Sequence, residues 1–173
     1  VCEEDHRVQV LVGLGGNQGD VAAVFAHAVA ALSGEAQQTS CSSLWRSAAQ
    51  GPPQPDFINA AVLLDTELRP FALFDLCHRL EAEAGRVRDA SPRWGPRPLD
   101  LDLLLIAGVV LESPRLVVPH PRLAFRRFAL LPAAEVAPSW VHPRLHRSLA
   151  ELAADPALAA QRCERLGPFP NSS

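Results

Sequence analysis

Apolar and polar positions recur along this chain with two alternating periods. Val8 to Leu14 is a short apolar run that reads as a strand, and the turn Gly13-Leu14-Gly15-Gly16-Asn17-Gln18-Gly19-Asp20 follows it. A helical period then sets in. Val21, Val24, Phe25, Ala28, Val29 and Leu32 follow the i, i+3, i+4, i+7 pattern, with Asp20 as N-cap and Gly34 as the stop. His27 falls off this stripe and is expected to be exposed. Glu35 to Arg46 alternates weakly and predicts a second strand. Ser47 to Asp56 holds Gly51, Pro52, Pro53 and Pro55, which cannot continue a sheet and predict a loop. Phe57 to Thr66 predicts a third strand, with Phe57 and Asn59 on one face. Pro70 opens a second helix bearing Leu73, Phe74, Cys77 and Leu80, and Gly85 closes it.

Beyond Gly85 the pattern changes. Residues 85–97 pack four arginines, a tryptophan and two prolines into a loop that runs into Arg97-Pro98-Leu99-Asp100-Leu101-Asp102-Leu103-Leu104-Leu105-Ile106. Alternation of Leu and Asp before an apolar run predicts a fourth strand. Gly108 and Val109 to Glu112 suggest a turn and a short paired strand. Arg115 to Arg122 leads into Leu123 to Leu131, expected to be helical. Ser148-Leu149-Ala150-Glu151 is a capping box for a final short helix. Residues 163–173, rich in proline at the end, are expected to be a loose tail behind one domain spanning residues 1–162.

The fourth strand carries the chemistry. A period of two puts Asp100 and Asp102 on one face, their Cβ atoms about 7 Å apart. Side by side they repel, and burial adds a desolvation cost for each. A hard divalent cation relieves both, and Mg²⁺ favours one or two carboxylates with phosphate oxygens and water. A solvated acidic face on an edge strand is the plain alternative. The arginine loop favours the cation, because guanidinium forks match phosphate oxygens bidentately. Phe57 beside Asn59 could receive a flat heterocycle, one by stacking and the other at its polar edge. A core phenylalanine and a capping amide would produce the same pattern. His120, fixed between Pro119 and Pro121 beside Arg122 and Arg126, suits a ligand contact better than the core.

Composition narrows the class. With 173 residues and 48% hydrophobic, the chain can bury one full core. All 16 basic residues are arginine, and the net charge of -3 argues against a general polyanion binder. Cys2, Cys41, Cys77 and Cys163 are scattered, with no zinc-type spacing, and are expected to stay as thiols in a reducing compartment. No apolar run approaches the length of a membrane span, so a soluble, cytoplasmic protein is expected, and separately a monomer acting on small molecules, without nucleic-acid or membrane partners. The glycine turn has neither the Lys-Ser/Thr of a P-loop nor G-x-G-x-x-G spacing.

Taken in order, Leu14-Gly15-Gly16-Asn17, Asp56-Phe57-Ile58-Asn59-Ala60, Gly85-Arg86-Val87-Arg88, Arg93-Trp94-Gly95-Pro96-Arg97 with Leu99-Asp100-Leu101-Asp102, and Pro119-His120-Pro121-Arg122 with Arg126 and Phe128 resemble the 6-hydroxymethyl-7,8-dihydropterin pyrophosphokinase family. The resemblance runs from about Val8 to Pro138. It implies a ferredoxin-like α+β fold, an antiparallel-rich sheet with helices on both faces, compatible with the β-α-β-β-α-β order. It also implies transfer of the terminal two phosphates of ATP to the hydroxymethyl oxygen of the pterin, releasing AMP, in folate biosynthesis. By the same resemblance Asp100 and Asp102 would hold two Mg²⁺ ions, and Arg86 and Arg97 would contact phosphates as catalytic residues. Glu81, Arg88, Arg93, Trp94, Leu103, Arg115, His120 and Arg126 would contact the nucleotide. Phe57 and Phe128 would sandwich the pterin, Asn59 would pair with its edge, and Ser47, Ala48 and Gln50 would line its pocket. The chain departs from the family's pattern at Gly16, where many members have Ser, at Ser47-Ala48-Ala49-Gln50-Gly51, at His78 where Gln is familiar, and in an arginine loop one residue longer.

Two other readings fit the same residues. One is a transferase on this scaffold with a different small alcohol as acceptor. The other is a non-catalytic α+β module that uses its arginines on phosphate or RNA, which predicts stacking aromatics on an open sheet face and a steep salt dependence.

Overall fold

In the computed structural model, which describes residues 7–87 and 94–170, one antiparallel sheet separates two helical layers. Strand β1 (Val8–Gly16) lies at the centre. Helix α1 (Val21–Ser33) follows, then β2 (Gln37–Cys41), β3 (Leu44–Ser47), β4 (Phe57–Thr66), helix α2 (Pro70–Glu83) and β5 (Asp100–Ile106). In the sheet β4 and β5 flank β1, β3 lies outside β4, and β2 also pairs with β4. That order, with every pairing antiparallel, is the ferredoxin-like α+β arrangement.

Alternation along the strands supplies two cores. Val10, Val12, Leu14, Ala60, Val62, Leu64, Leu101 and Leu103 face α1 and α2. Leu11, Ala61, Leu104 and Leu105 face the opposite way, against helices α3 (Arg127–Val136) and α4 (Leu149–Ala153). Leu11 pairs with Leu105 and Val12 with Leu103, so Leu104 is an extra residue in β5, a bulge. The Leu104 carbonyl accepts from the His120 backbone N–H at 2.8 Å, which brings the segment after β7 (Val117–Val118) alongside the aspartates. Strand β7 pairs with β6 (Leu111–Glu112) in a separate hairpin.

The caps expected at Asp20 and Ser148 are present. The Asp20 carboxylate accepts from the Ala23 N–H at 3.1 Å, and Ser148 and Glu151 form a reciprocal capping box. Gly85 takes φ +93° just past α2, where a side chain would be strained.

Three expected elements differ. The single strand over 35–46 is two strands, because Ser42 takes over a ladder position: its Oγ accepts from the Ala61 N–H at 2.8 Å and donates to the Ser43 carbonyl at 2.7 Å. The helix expected over 123–131 is a 3-10 turn (Leu123–Phe125), an extended Arg126 at φ −122° and ψ 103°, and then α3. The tail expected to be loose is instead a strand, which follows the short β8 (Val141–His142) and β9 (Arg147–Ser148) pair: β10 (Cys163–Gly167) closes the sheet against β3. Arg165 Nε donates to Ser43 Oγ at 2.9 Å, and Phe169 stacks on Phe25 of α1 with ring centroids 6.4 Å apart. Phe169→Ala is expected to destabilise the fold by about 1–2 kcal/mol, read as a lower urea midpoint with an unchanged slope; an unchanged midpoint would return the tail to the status of an appendage.

Candidate functional site

Two adjoining cavities open at one end of the sheet. The larger, about 880 Å³, is bounded by α2, β5, the segment 113–122 and the end of the arginine loop. The smaller, about 120 Å³, lies between β1, β4 and the first turn of α3. Trp94, Arg97, Asp100, Asp102 and Arg126 line both.

The aspartates are at this junction because β5 begins there, two residues past Pro98, and because period 2 turns both away from the α1/α2 core. Asp100 is held from two sides. Arg97 Nη1 donates to its Oδ2 at 2.9 Å, and Arg86 donates to its Oδ1. Arg86 is itself fixed by Glu81, whose Oε1 accepts from Arg86 Nη1 at 2.6 Å and from the Leu101 backbone N–H at 2.8 Å. Burial works to raise the Asp100 carboxyl, but Arg86 and Arg97 outweigh it and hold the group below the ordinary carboxylate range. Asp102 is treated differently. Burial, and next the Asp100 charge beside it, push its carboxyl up to about 7. The pair is thus asymmetric, one carboxylate firmly ionised and the other retaining its proton toward neutrality.

His120 faces Asp102, with Nε2 3.8 Å from Oδ1. Burial, followed by the Arg126 charge, pulls the imidazole down to about 4, so it is neutral at physiological pH. Its Nδ1 accepts from the Arg122 backbone N–H at 3.1 Å, which leaves the proton on Nε2, directed at the cleft.

The loops that frame the site are fastened by Asn17. Its Nδ2 donates to Gln54 Oε1 and to the Pro55 carbonyl, both at 2.9 Å, while its Oδ1 accepts from the Arg97 N–H at 2.9 Å. Gln54 Nε2 donates onward to the Trp94 carbonyl at 2.7 Å. One amide from the β1–α1 turn therefore ties the loop 48–56 to the arginine loop. Two glycines make the approach possible: a Cβ at Gly16 would lie 2.5 Å from the Pro98 carbonyl oxygen, and one at Gly51 would lie 2.9 Å from Trp94 Cβ. The Trp94 ring lies beneath the guanidiniums of Arg122 and Arg126, 4.8 and 5.4 Å from its centroid.

In the small cavity Asn59 is buried, and its Nδ2 donates to Ser47 Oγ at 2.9 Å. Phe57, Phe128, Ala48 and Gln50 line the same cavity, together with Gly13, Gly15 and Leu104. In the large cavity Phe74 packs against His78 with ring centroids 4.0 Å apart and the planes tilted by 52°, and Arg115, ion-paired with Asp75, lies over Phe74. Leu103 also lines this cavity.

Nearly all the residues singled out in the sequence therefore meet here. Glu81 is the exception among the described ones: it is 1% exposed, lines neither cavity, and accepts from Arg86 and from the Leu101 N–H. Arg88 and Arg93 fall in 88–93, outside the described residues. Sequence reasoning missed the fastening role of Asn17 and Gln54 and the positions of Arg122 and Phe74. Asn17 stands within Leu14-Gly15-Gly16-Asn17, where the sequence shows a turn but not the distant groups its amide holds.

Comparison with known proteins agrees with this geometry. Residues 11–138 match the family model for 7,8-dihydro-6-hydroxymethylpterin-pyrophosphokinase. The chain is 44% identical over 144 residues to a 2-amino-4-hydroxy-6-hydroxymethyldihydropteridine pyrophosphokinase of Synechocystis, covering 82% of this chain and 73% of that protein. It is 43% identical over 133 residues to the enzyme of the same name from Methylorubrum extorquens, covering 75% of this chain and 83% of that one. Among solved structures, a Plasmodium falciparum HPPK-DHPS with pterin and p-hydrobenzoate superposes at a TM-score of 0.64 and 13% identity, over 88% of this chain. The present chain spans 45% of that longer one, and the likeness speaks for the fold. With the family model matched over residues 11–138 and both named relatives more than 40% identical, this chain belongs to the 7,8-dihydro-6-hydroxymethylpterin-pyrophosphokinase family.

Proposed function

We infer that this domain transfers the terminal diphosphate of ATP to the hydroxymethyl oxygen of 6-hydroxymethyl-7,8-dihydropterin, releasing AMP, a step of folate biosynthesis. The observation that carries this reading is the junction: a nucleotide-sized cleft and a small aromatic-walled pocket meet at Asp100 and Asp102. An acceptor alcohol in the pocket and a polyphosphate in the cleft would be brought together at that point. The new bond joins the pterin oxygen to the β-phosphorus; the bond that breaks joins the β-phosphorus to the bridging oxygen that leaves with AMP.

The pterin ring lies between Phe57 and Phe128, and Asn59, held in plane by Ser47, pairs with its polar edge. Ser47, Ala48 and Gln50 complete that wall. The nucleoside lies toward Phe74, Leu103 and Arg115. Arg86, Arg97 and Arg126 face the phosphates, and the neutral His120 offers an Nε2–H donor without adding charge. Closing the framing loops increases the value of each arginine, because a charge pair at 4 Å is worth about 1 kcal/mol in water and about 4 kcal/mol at an effective dielectric near 20. The residues fit Mg²⁺: Asp100 and Asp102 are hard oxygen donors on one strand face, open to the cleft that would hold the phosphates. Two such ions, when bound, would supply charge neutralisation and polarisation of the reacting oxygens. By the family resemblance Arg88 and Arg93 would also contact the nucleotide. The proposed setting is a cytoplasmic monomer.

AMP formation from ATP and the pterin, followed for the unaltered chain and for Asp100→Ala and Asp102→Ala, tests the reading. A fall of about a hundredfold or more is expected for each variant; turnover near that of the unaltered chain would reject the metal assignment, and a chain that forms no AMP with this pterin would reject the acceptor.

The asymmetry of the pair makes a second prediction. In the fold Asp102 keeps its proton up to about 7, against an ordinary 3.8, so the metal-free protein loses this group's contribution to stability as pH rises through that interval. Asp102→Asn cannot ionise. It should melt a few degrees above the unaltered chain at pH 8, with the gap closing toward pH 4; a gap independent of pH would contradict the elevated carboxyl.

A further inference from the structure

We propose that Gln161 is a positioning residue for pyrophosphoryl transfer, its side-chain amide gripping both peptide groups that flank Arg126 and so setting how Arg126 enters the site. This rests on the reading of Arg126 as facing substrate.

Arg126 lies at the break between the 3-10 turn and α3, and its own side chain does not cap the helix that follows. Gln161 does so from a distance. Its Oε1 accepts from the Arg127 N–H at 2.8 Å, and its Nε2 donates to the Phe125 carbonyl at 2.9 Å. The amide thus engages the carbonyl before Arg126 and the N–H after it, much as a neighbouring strand would, and holds the residue extended. Both bonds also fix which end of the amide is oxygen, since one partner can only donate and the other only accept.

The grip has a firm base. The Gln161 N–H donates to the Leu158 carbonyl at 3.0 Å, and Leu158 is buried against the core that contains Leu149 and Leu152. Arg127 returns the contact, its Nη1 donating to the Gln161 and Ala159 carbonyls at 3.1 and 3.3 Å. Asp155 caps the turn that carries Leu158 and pairs with Arg147 at 2.8 Å.

What is gripped matters for the reaction. The Arg126 guanidinium is 5.4 Å from the Trp94 ring centroid and 5.5 Å from that of Phe128, and it lines both cavities. A swing of roughly 10° at the Arg126 Cα would carry a group ~6 Å away by about 1 Å, a displacement that can cost up to about a hundredfold in rate. Gln161 lies beyond residue 138, where the family match ends, so this role is visible only in the structure.

The test is a double-mutant cycle on AMP formation at 25 °C, with melting temperatures measured alongside. Gln161→Met keeps the length of the side chain and removes both bonds; Gln161→Glu keeps the acceptor and loses the donor. Gln161→Met is expected to lower kcat/KM by about tenfold in the unaltered chain and by less than about twofold in an Arg126→Ala background, with Gln161→Glu between. A bond that only stabilises would lower the melting temperature and leave kcat/KM within about twofold, and that result would overturn the proposal. An equal loss in both backgrounds would overturn it too. Should Gln161→Met fail to fold, Gln161→Glu carries the same comparison. An Arg126→Ala enzyme as active as the unaltered chain would overturn the reading of the site, and this inference with it.

Discussion

Asp100 is an acid fixed between two arginines, and the rest of the site is arranged to keep it so. Arg97 comes from the strand's own approach, Arg86 from the end of α2, and Glu81 anchors Arg86 from beneath. Charge-assisted bonds of this kind are short and directional, so the first residue of β5 also fixes where the arginine loop ends. Asp102, two residues on, has no comparable partner among the described residues, and burial first and the charge of Asp100 second raise its carboxyl. The same guanidiniums that hold Asp100 face the cleft proposed for phosphate. A single set of arginines therefore serves both the fold and the proposed chemistry.

Around that centre the fold works as a frame for loops. The sheet presents Phe57 and Asn59 from β4 and the aspartates from β5 at one end, and Asn17 at the end of β1 ties the two intervening loops to each other. Small residues at Gly16 and Gly51 let backbone approach where any side chain would collide. Trp94 closes the arrangement, its carbonyl held by Gln54 and its ring under Arg122 and Arg126. Each of these contacts joins segments far apart in the chain, so the pocket geometry depends on the assembled sheet.

Much of this was legible before any coordinates. The Leu–Asp alternation placed both carboxylates on one face, and the same period put Phe57 beside Asn59. The helical stripes and caps at Asp20, Gly34 and Ser148 were local signals and held. What the chain did not disclose was set by distant partners. The break at Arg126 comes from Gln161, 34 residues away from Arg127, and nothing near 126 announces it. The split at Ser42 comes from a hydroxyl standing in for a ladder group of Ala61. Strand β10 has no alternating apolar pattern, because it gains its place by edge pairing with β3 and by Arg165 reaching Ser43. Glu81, a nucleotide contact by resemblance, is buried and bonded to Arg86 in the fold.

The account turns on whether the aspartate pair takes up a divalent ion together with nucleotide. Titration of Mn²⁺ in the presence of a non-hydrolysable ATP analogue, followed by electron paramagnetic resonance, measures this without requiring turnover. The unaltered chain is expected to bind the ion only with the analogue present, and Asp100→Asn and Asp102→Asn to weaken that uptake by about tenfold or more. Equal uptake by all three proteins would place the ion elsewhere and contradict the central assignment.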